Sequence, residues 1–235
     1  MLVMDSGVRR TENHIIMTFR SREHTDMITS SNNAKVKQVV QWQTKAKERR
    51  KDHVFLAEGV RMCEEAPVKS VREVYLTEEL EQKLRQNAQN GDTAFWDKLQ
   101  QTGYETVSPG VFAKMADTQT PQGILTVLEQ PSYDLAQLLE QPDPLFLILE
   151  NLQDPGNLGT MIRTGEGAGI TGVIMNSQTV DIFNPKTIRA TMGSIFRVPF
   201  VYVPELSPAV CGLRTSKVPQ RSRHSGIPPY PPWGF

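Results

Sequence analysis

Hydrophobic positions change period repeatedly along the chain, and the changes predict a succession of short strands and helices. Residues 54–57, 71–76 and 124–128 read as short strands, and Thr106-Val107 ends another. Between them, residues 58–66, 78–88 and 95–101 read as helices. Ser108-Pro109 is an N-cap and first-turn pair that opens another helix through Met115. Upstream, Ser30 to Asn33 supply N-cap candidates for a helix that carries Val36, Val39, Val40 and Trp42 at helical spacing and continues through the basic residues after it. Strands alternating with helices indicate a small α/β domain over residues 27–128.

A second patterned region follows a break. Residues 129–144 hold Pro131, Pro142 and Pro144 around a Leu-rich 135–139, which reads as a linker with one short helix. Residues 145–149 are continuously apolar, as expected for a buried strand of a parallel sheet. Residues 172–175 form a second such strand. Asn184-Pro185 caps a helix expected to run to about Met192, and residues 195–203 are β-branched and extended, broken by Pro199. This second α/β domain covers residues 145–203. From Pro204 onward no period of 2 or 3.6 survives among Pro, Arg, Ser and Gly, so residues 204–235 are expected to be a disordered tail. Residues 1–26 have no clear period either and read as a disordered extension.

Composition narrows the classes. The chain has 235 residues, with 26 basic and 26 acidic side chains. A net charge of zero gives no global field for nucleic acid, so any basic surface must come from local segregation. Cys63 and Cys211 are the only cysteines, with no metal-ligand spacing, which excludes a disulfide framework and suits a reducing cytosol. No apolar run reaches membrane-spanning length and no signal-peptide block opens the chain. A cytoplasmic protein with neither membrane nor metal partner is the expectation.

Charge is segregated in one place. Residues 32–47 contain no acid but carry Lys35, Lys37, Lys45 and Lys47, with Arg49, Arg50 and Lys51 just beyond. A solvated helix face accounts for this run. So does an RNA-phosphate contact, since uncompensated cations release counterions on binding.

Two constellations carry candidate chemistry. Asn151 to Gly169 places a polar Gly/Asn loop and a helix after a buried strand, an arrangement that presents groups at the carboxyl edge of a sheet. With a helix starting near Asn157, the residues Asn157, Thr160, Arg163 and Glu166 recur every third position and share a face. An amide, a hydroxyl and a guanidinium then stand at a helix N-terminus, whose free N–H groups attract anions. A capped helix with an Arg163–Glu166 surface pair is the plainer alternative. In the second constellation, residues 181–199, Lys186, Arg189 and Arg197 are candidate phosphate contacts, and Gly193-Ser194 a tight turn. Gly165-x-Gly167-x-Gly169 is no dinucleotide fingerprint, because its glycines lie within or after a helix. Trp42 and Phe55 could stack on bases, although core packing explains them as well.

These strings resemble the SpoU/TrmH-type family of RNA 2′-O-ribose methyltransferases, a branch of the knotted SPOUT enzymes. Asn151-Leu152-Gln153-Asp154-Pro155-Gly156-Asn157-Leu158-Gly159-Thr160-Met161-Ile162-Arg163-Thr164 resembles the family's first motif. The Asn-Pro-Lys, Arg-Ala-Thr-Met-Gly-Ser and Phe-Arg-Val-Pro pieces of residues 184–199 resemble the segment after it. Phe55-Leu56-Ala57-Glu58-Gly59 and Thr120-Pro121-Gln122-Gly123 resemble parts of its N-terminal RNA-recognition domain. The resemblance implies methyl transfer from S-adenosylmethionine to a ribose 2′-hydroxyl of structured, usually ribosomal, RNA by a homodimer. It makes Asn157 and Arg163 the active-site pair. Lys35, Lys37, Lys45, Lys47, Arg49, Arg50, Lys186, Arg189 and Arg197 remain, on charge and position, the candidate RNA-binding residues.

The family's later motifs, which hold the methyl donor and thread the knot, are not matched after Leu206. The expected fold is therefore a small α/β RNA-recognition domain joined to an incomplete SPOUT-type α/β domain whose knot-forming part is missing. An incomplete donor pocket predicts weak or no methyl transfer, and leaves an RNA-binding module without chemistry as the alternative function.

Overall fold

The computed structural model describes residues 27–207. The predicted extension at 1–26 and the predicted tail from residue 208 onward, with the missing knot-forming part, lie outside the described residues.

The N-terminal sheet has the order β1 (Val54–Glu58), β4 (Ile124–Glu129), β2 (Val71–Thr77), β3 (Glu105–Val107). Strand β4 runs antiparallel to both of its neighbours, and β2 pairs parallel with β3. One face packs on α1 (Ala34–Thr44) and α6 (Pro109–Met115) through Val36, Val39, Trp42, Phe112 and Met115. The other packs on α4 (Glu78–Gln89) and α5 (Ala94–Thr102) through Leu80, Leu84, Phe95 and Leu99. Trp42 and Phe55 are both buried, and the Trp42 indole N–H donates to Asp52 at 2.7 Å, so both are core residues rather than base-stacking platforms.

The single basic helix expected after Asn33 is broken in two. Helix α1 ends at Thr44, Lys45 is extended, and α2 (Ala46–Asp52) restarts the helix. The break lets α2 fold back and turn Arg49 inward. The Arg49 Nη1 donates to the carbonyls of Trp42 at 2.7 Å and Gln43 at 3.3 Å, near the unpaired C-terminal end of α1. Its Nη2 reaches Asp181 of the second domain at 2.7 Å.

After α3 (Val60–Glu65), and beyond the linker with its short helix α7 (Leu135–Leu139), the second domain is a parallel sheet of β5 (Phe146–Leu149), β6 (Gly172–Asn176) and β7 (Phe200–Val203). Period-2 alternation sorts its side chains. Val173 and Met175 face α8 (Pro155–Gly167) and α9 (Pro185–Thr191), while Ile174 and Val201 meet Leu138 of α7. Leu206, past the expected start of the tail, still packs on this second cluster. Gly159 permits the close approach of α8 and α9: a Cβ there would lie 2.5 Å from the Ala190 Cβ and 2.6 Å from the Thr187 carbonyl oxygen.

Two expectations need correction. Strand β5 is not fully buried, because it is an edge among the described residues, with Leu145 and Ile148 exposed. Residues 195–203 are not extended throughout. Gly193 turns the chain at φ +95°, Ser194–Phe196 make a short 3-10 turn that buries Ile195, and β7 begins only at Phe200. Among the described residues, no helix is long and apolar enough to cross a membrane.

The Arg49 geometry predicts a structural role. Removing one partner of a buried ion pair leaves the other uncompensated, so Arg49→Ala should cost about 3 kcal/mol in urea unfolding. Exposed Arg50→Ala should stay within about 0.5 kcal/mol. Equal small effects would show that Arg49 is not holding α1, α2 and the second domain together.

Candidate active site

Helix α8 starts at Pro155, two positions earlier than the Asn157 start expected from sequence. Asp154 is the N-cap, and its Oδ1 accepts the Asn157 backbone N–H at 2.6 Å. That hydrogen bond, reinforced by Lys186 at 3.4 Å, holds the Asp154 carboxyl below its ordinary range. The anion site expected at this helix N-terminus is thus already filled by the chain's own carboxylate.

Asn157, Thr160 and Arg163 lie on the exposed side of α8, while Leu158, Gly159 and Ile162 turn into the core. The Thr160 hydroxyl is spent on the Gly156 carbonyl at 2.9 Å. Asn157 and Arg163 sit about 9 Å apart along the axis and about 120° apart around it. Arg163 has no ion-pair partner among the described residues. The plain Arg163–Glu166 pair does not form.

Glu166 instead accepts from Arg197 and from the Ser194 hydroxyl. The same Arg197 donates through Nη1 to Glu65 of α3 at 2.7 Å, and Arg61 adds a bond to Glu65 at 2.9 Å. Gly193 stands beside this cluster, where a side chain would collide with the Glu65 carboxylate. The Arg197 hydrogen bonds pull both Glu65 and Glu166 below the usual carboxyl range, and they raise Arg197 further.

The cations predicted for RNA therefore divide. Arg49 is 3% exposed and bonds Asp181, Arg189 bonds Asp117, and Arg197 bonds Glu65. Each of these pairs joins one domain to the other. Arg49 is thereby buried in a structural contact, and Arg197, still about half exposed, is engaged by two carboxylates. Lys35 pairs with Glu105 and Lys186 with Asp154. Lys37, Lys45, Lys47 and Arg50 are exposed and have no ion-pair partner among the described residues, and Lys51, outside the predicted set, joins them.

Sequence reasoning missed the seam between the domains. Arg61, Met62, Gln122 and Met192 meet there around a cavity, and only the Glu58-Gly59 and Gln122-Gly123 strings hinted at it. Cys63 is no nucleophile: burial pushes its thiol up to about 12. Among the described residues, no His, Cys, Asp or Glu group is arranged to hold a metal.

The class the structure defines is a mixed α/β domain clasped to a three-stranded parallel sheet whose first helix exposes an amide and an unpaired guanidinium. Comparison with known proteins gives the class a family. Residues 144–226 match the SpoU rRNA Methylase family, and residues 33–126 match the MRM3-like substrate binding domain. The 23S rRNA (guanosine(2553)-2'-O)-methyltransferase RlmP of Bacillus subtilis is 36% identical over 188 residues, covering 76% of this chain and 68% of the relative. The human mitochondrial rRNA methyltransferase 3 is 43% identical over 91 residues, covering 37% of this chain and 21% of the relative. An AdoMet-bound rRNA methyltransferase from Sinorhizobium meliloti superposes with a TM-score of 0.67 at 27% identity, over 81% of this chain and 69% of that one. The chain belongs to the SpoU family of rRNA methylases. The family match runs to residue 226, past the domain end expected at 203.

The Arg197 cluster generates a pH dependence. Both carboxyls are depressed in the folded state, so their stabilisation is complete above the ordinary value of 4.5 and drains away as pH falls through the lowered values. Thermal unfolding between about pH 3 and pH 7 should show a shallower acid-side loss in Arg197→Met than in the parent chain. Parallel curves would mean that Arg197 does not hold these carboxyls.

Proposed function

We propose that the chain is a ribosomal RNA 2′-O-ribose methyltransferase that takes its methyl group from S-adenosylmethionine and works as a homodimer. The observation that carries this reading is Arg163: an exposed, unpaired guanidinium on the first helix of a SpoU-family domain that also exposes Asn157. The relatives named for rRNA 2′-O-methylation and the AdoMet-bound structural neighbour support it. Exposed Leu145, Ile148, Met161 and Tyr202 offer apolar surface for a second copy.

The carboxyl edge of the sheet is closed on itself among the described residues. Asn176 Nδ2 donates to Asn151 Oδ1 at 2.7 Å, and the Asn151 N–H and the Thr179 hydroxyl both donate to Asn176 Oδ1, at 3.0 and 2.8 Å. These bonds fix the loop that launches α8, with Asn151 at φ +54°. They supply no set of groups for holding the methyl donor, so the described residues fit the RNA side of the transfer.

S-adenosylmethionine supplies an electrophilic methyl group, and the residues described here prepare the acceptor. A ribose hydroxyl is a weak nucleophile whose oxygen gains negative charge as its proton leaves. Arg163 cannot take that proton, because guanidinium stays protonated. Its charge instead favours the developing alkoxide or holds the neighbouring phosphate, and the Asn157 amide orients the ribose. The exposed lysines of α1 and α2 hold the RNA backbone by counterion release.

With labelled S-adenosylmethionine and an rRNA fragment, Arg163→Ala should lose about 100-fold or more in methylation. Its RNA affinity should stay within about threefold. Lys45→Glu with Lys47→Glu should weaken binding and reduce the salt slope by about 2. RNA binding by the parent chain with no methylation in any rRNA fragment would favour a binding module and sink the enzyme reading.

A further inference from the structure

The cavity at the domain seam has a volume of about 270 Å³. That lies just under the roughly 300–1,000 Å³ of pockets for drug-sized ligands and suits a single nucleoside. Arg61, Met62, Thr118 and Gln122 line it from the domain matched to substrate binding, and Arg189 and Met192 from the methylase domain.

Its chemistry is that of a nucleotide site. Met62 and Met192 present soft, polarizable thioethers of the kind that pack well on flat aromatic rings. Met192 holds φ +51° and is 36% exposed. That left-handed position is the C-cap of α9, where glycine or asparagine is usual, and here it sets a long thioether side chain against the cavity. The cations keep hydrogen-bonding capacity in reserve. Arg61 commits its Nε to Glu65 and Arg189 commits its Nη1 to Asp117. The remaining donors of both guanidiniums have no protein partner among the described residues. Gln122 accepts the Val60 N–H through Oε1 at 2.8 Å, which leaves its amide N–H₂ for a base edge. Glu58 also lines the cavity, but its two oxygens take the Asp117 N–H and the Thr118 hydroxyl, so its charge is bound into the wall.

From this geometry we propose that the seam cavity receives one unstacked nucleotide of the bound RNA, with its base against Met62 and Met192 and its phosphate on Arg61 and Arg189. RNA-reading proteins commonly splay bases out of single-stranded segments and hold them individually. The two halves of this pocket belong to different domains, so a nucleotide seated there would register the RNA held by one domain against the helix α8 of the other. The proposal rests on the reading of the chain as an RNA methyltransferase and adds a specificity site to it.

The test uses the full chain and a single-stranded RNA oligomer carrying 4-thiouridine. Photo-crosslinks should map to the tryptic peptides 62–69 and 190–197, which follow Arg61 and Arg189. Arg61→Gln, and Gln122→Glu, which keeps the acceptor for the Val60 N–H, should each retain the parental melting temperature. Each should weaken single-strand binding about tenfold, the loss of one charge-assisted or buried hydrogen bond, and leave blunt duplex binding unchanged. RNA bound with crosslinks confined to α1 and α2 overturns this site alone. Crosslinks from free 4-thiouridine monophosphate that RNA cannot displace make it a mononucleotide site and also overturn the proposal. Failure to bind any RNA overturns the parent reading together with it.

Discussion

Phe55 leaves the N-terminal sheet and enters the core of the second domain. Its ring lies 5.1 Å from Phe183 and 6.3 Å from Phe196, and Phe183 in turn meets Phe200 edge-on at 5.5 Å. Ala57, Met62 and Leu128 join the same cluster as Leu158, Ile162, Met175 and Ile188. Aromatic side chains carry the largest apolar areas of any residue, and burying one is worth about 2–3 kcal/mol. The domains that sequence pattern separates by a proline-rich linker therefore share one hydrophobic core. Everything that depends on their relative placement, the seam cavity included, depends on that shared packing.

Arginine bridges ring the shared core. Arg49–Asp181, Arg189–Asp117 and Arg197–Glu65 each cross from one domain to the other. A guanidinium suits this task because it stays charged, spreads its donors in a fixed fork and resists desolvation less than an ammonium does. Lys37, Lys45 and Lys47, by contrast, face solvent. Ion pairing across the domains separates the groups that hold the molecule together from the unpaired cations that face solvent.

Helix α8 shows how a scaffold leaves one charged side chain unpaired. Asp154 satisfies the helix N-terminus, Gly159 lets α9 pack close, and Glu166 is drawn away to Arg197 and Ser194. The last of these contacts removes the nearest carboxylate from Arg163. An arginine left uncompensated on a rigid helix is preorganised to meet negative charge that appears only during reaction.

Local signals were enough for most elements and for the family. The Ser108-Pro109 and Asn184-Pro185 pairs do open helices, because capping and proline geometry act within a few residues. Strand positions and the exposed Asn157 and Arg163 followed from apolar period and motif for the same reason. What sequence could not assign was the partner of each charge. Arg49 and Asp181 are 132 positions apart, as are Glu65 and Arg197, and no local pattern links them. The break at Lys45, the turn at Gly193 and the exposure of β5 likewise depend on what packs alongside. Sequence alone determined which chemistry the chain carries, since that lies in short contiguous strings. Tertiary structure alone decided which cations remain unpaired and where a cavity opens, because both arise from two domains folding against one core.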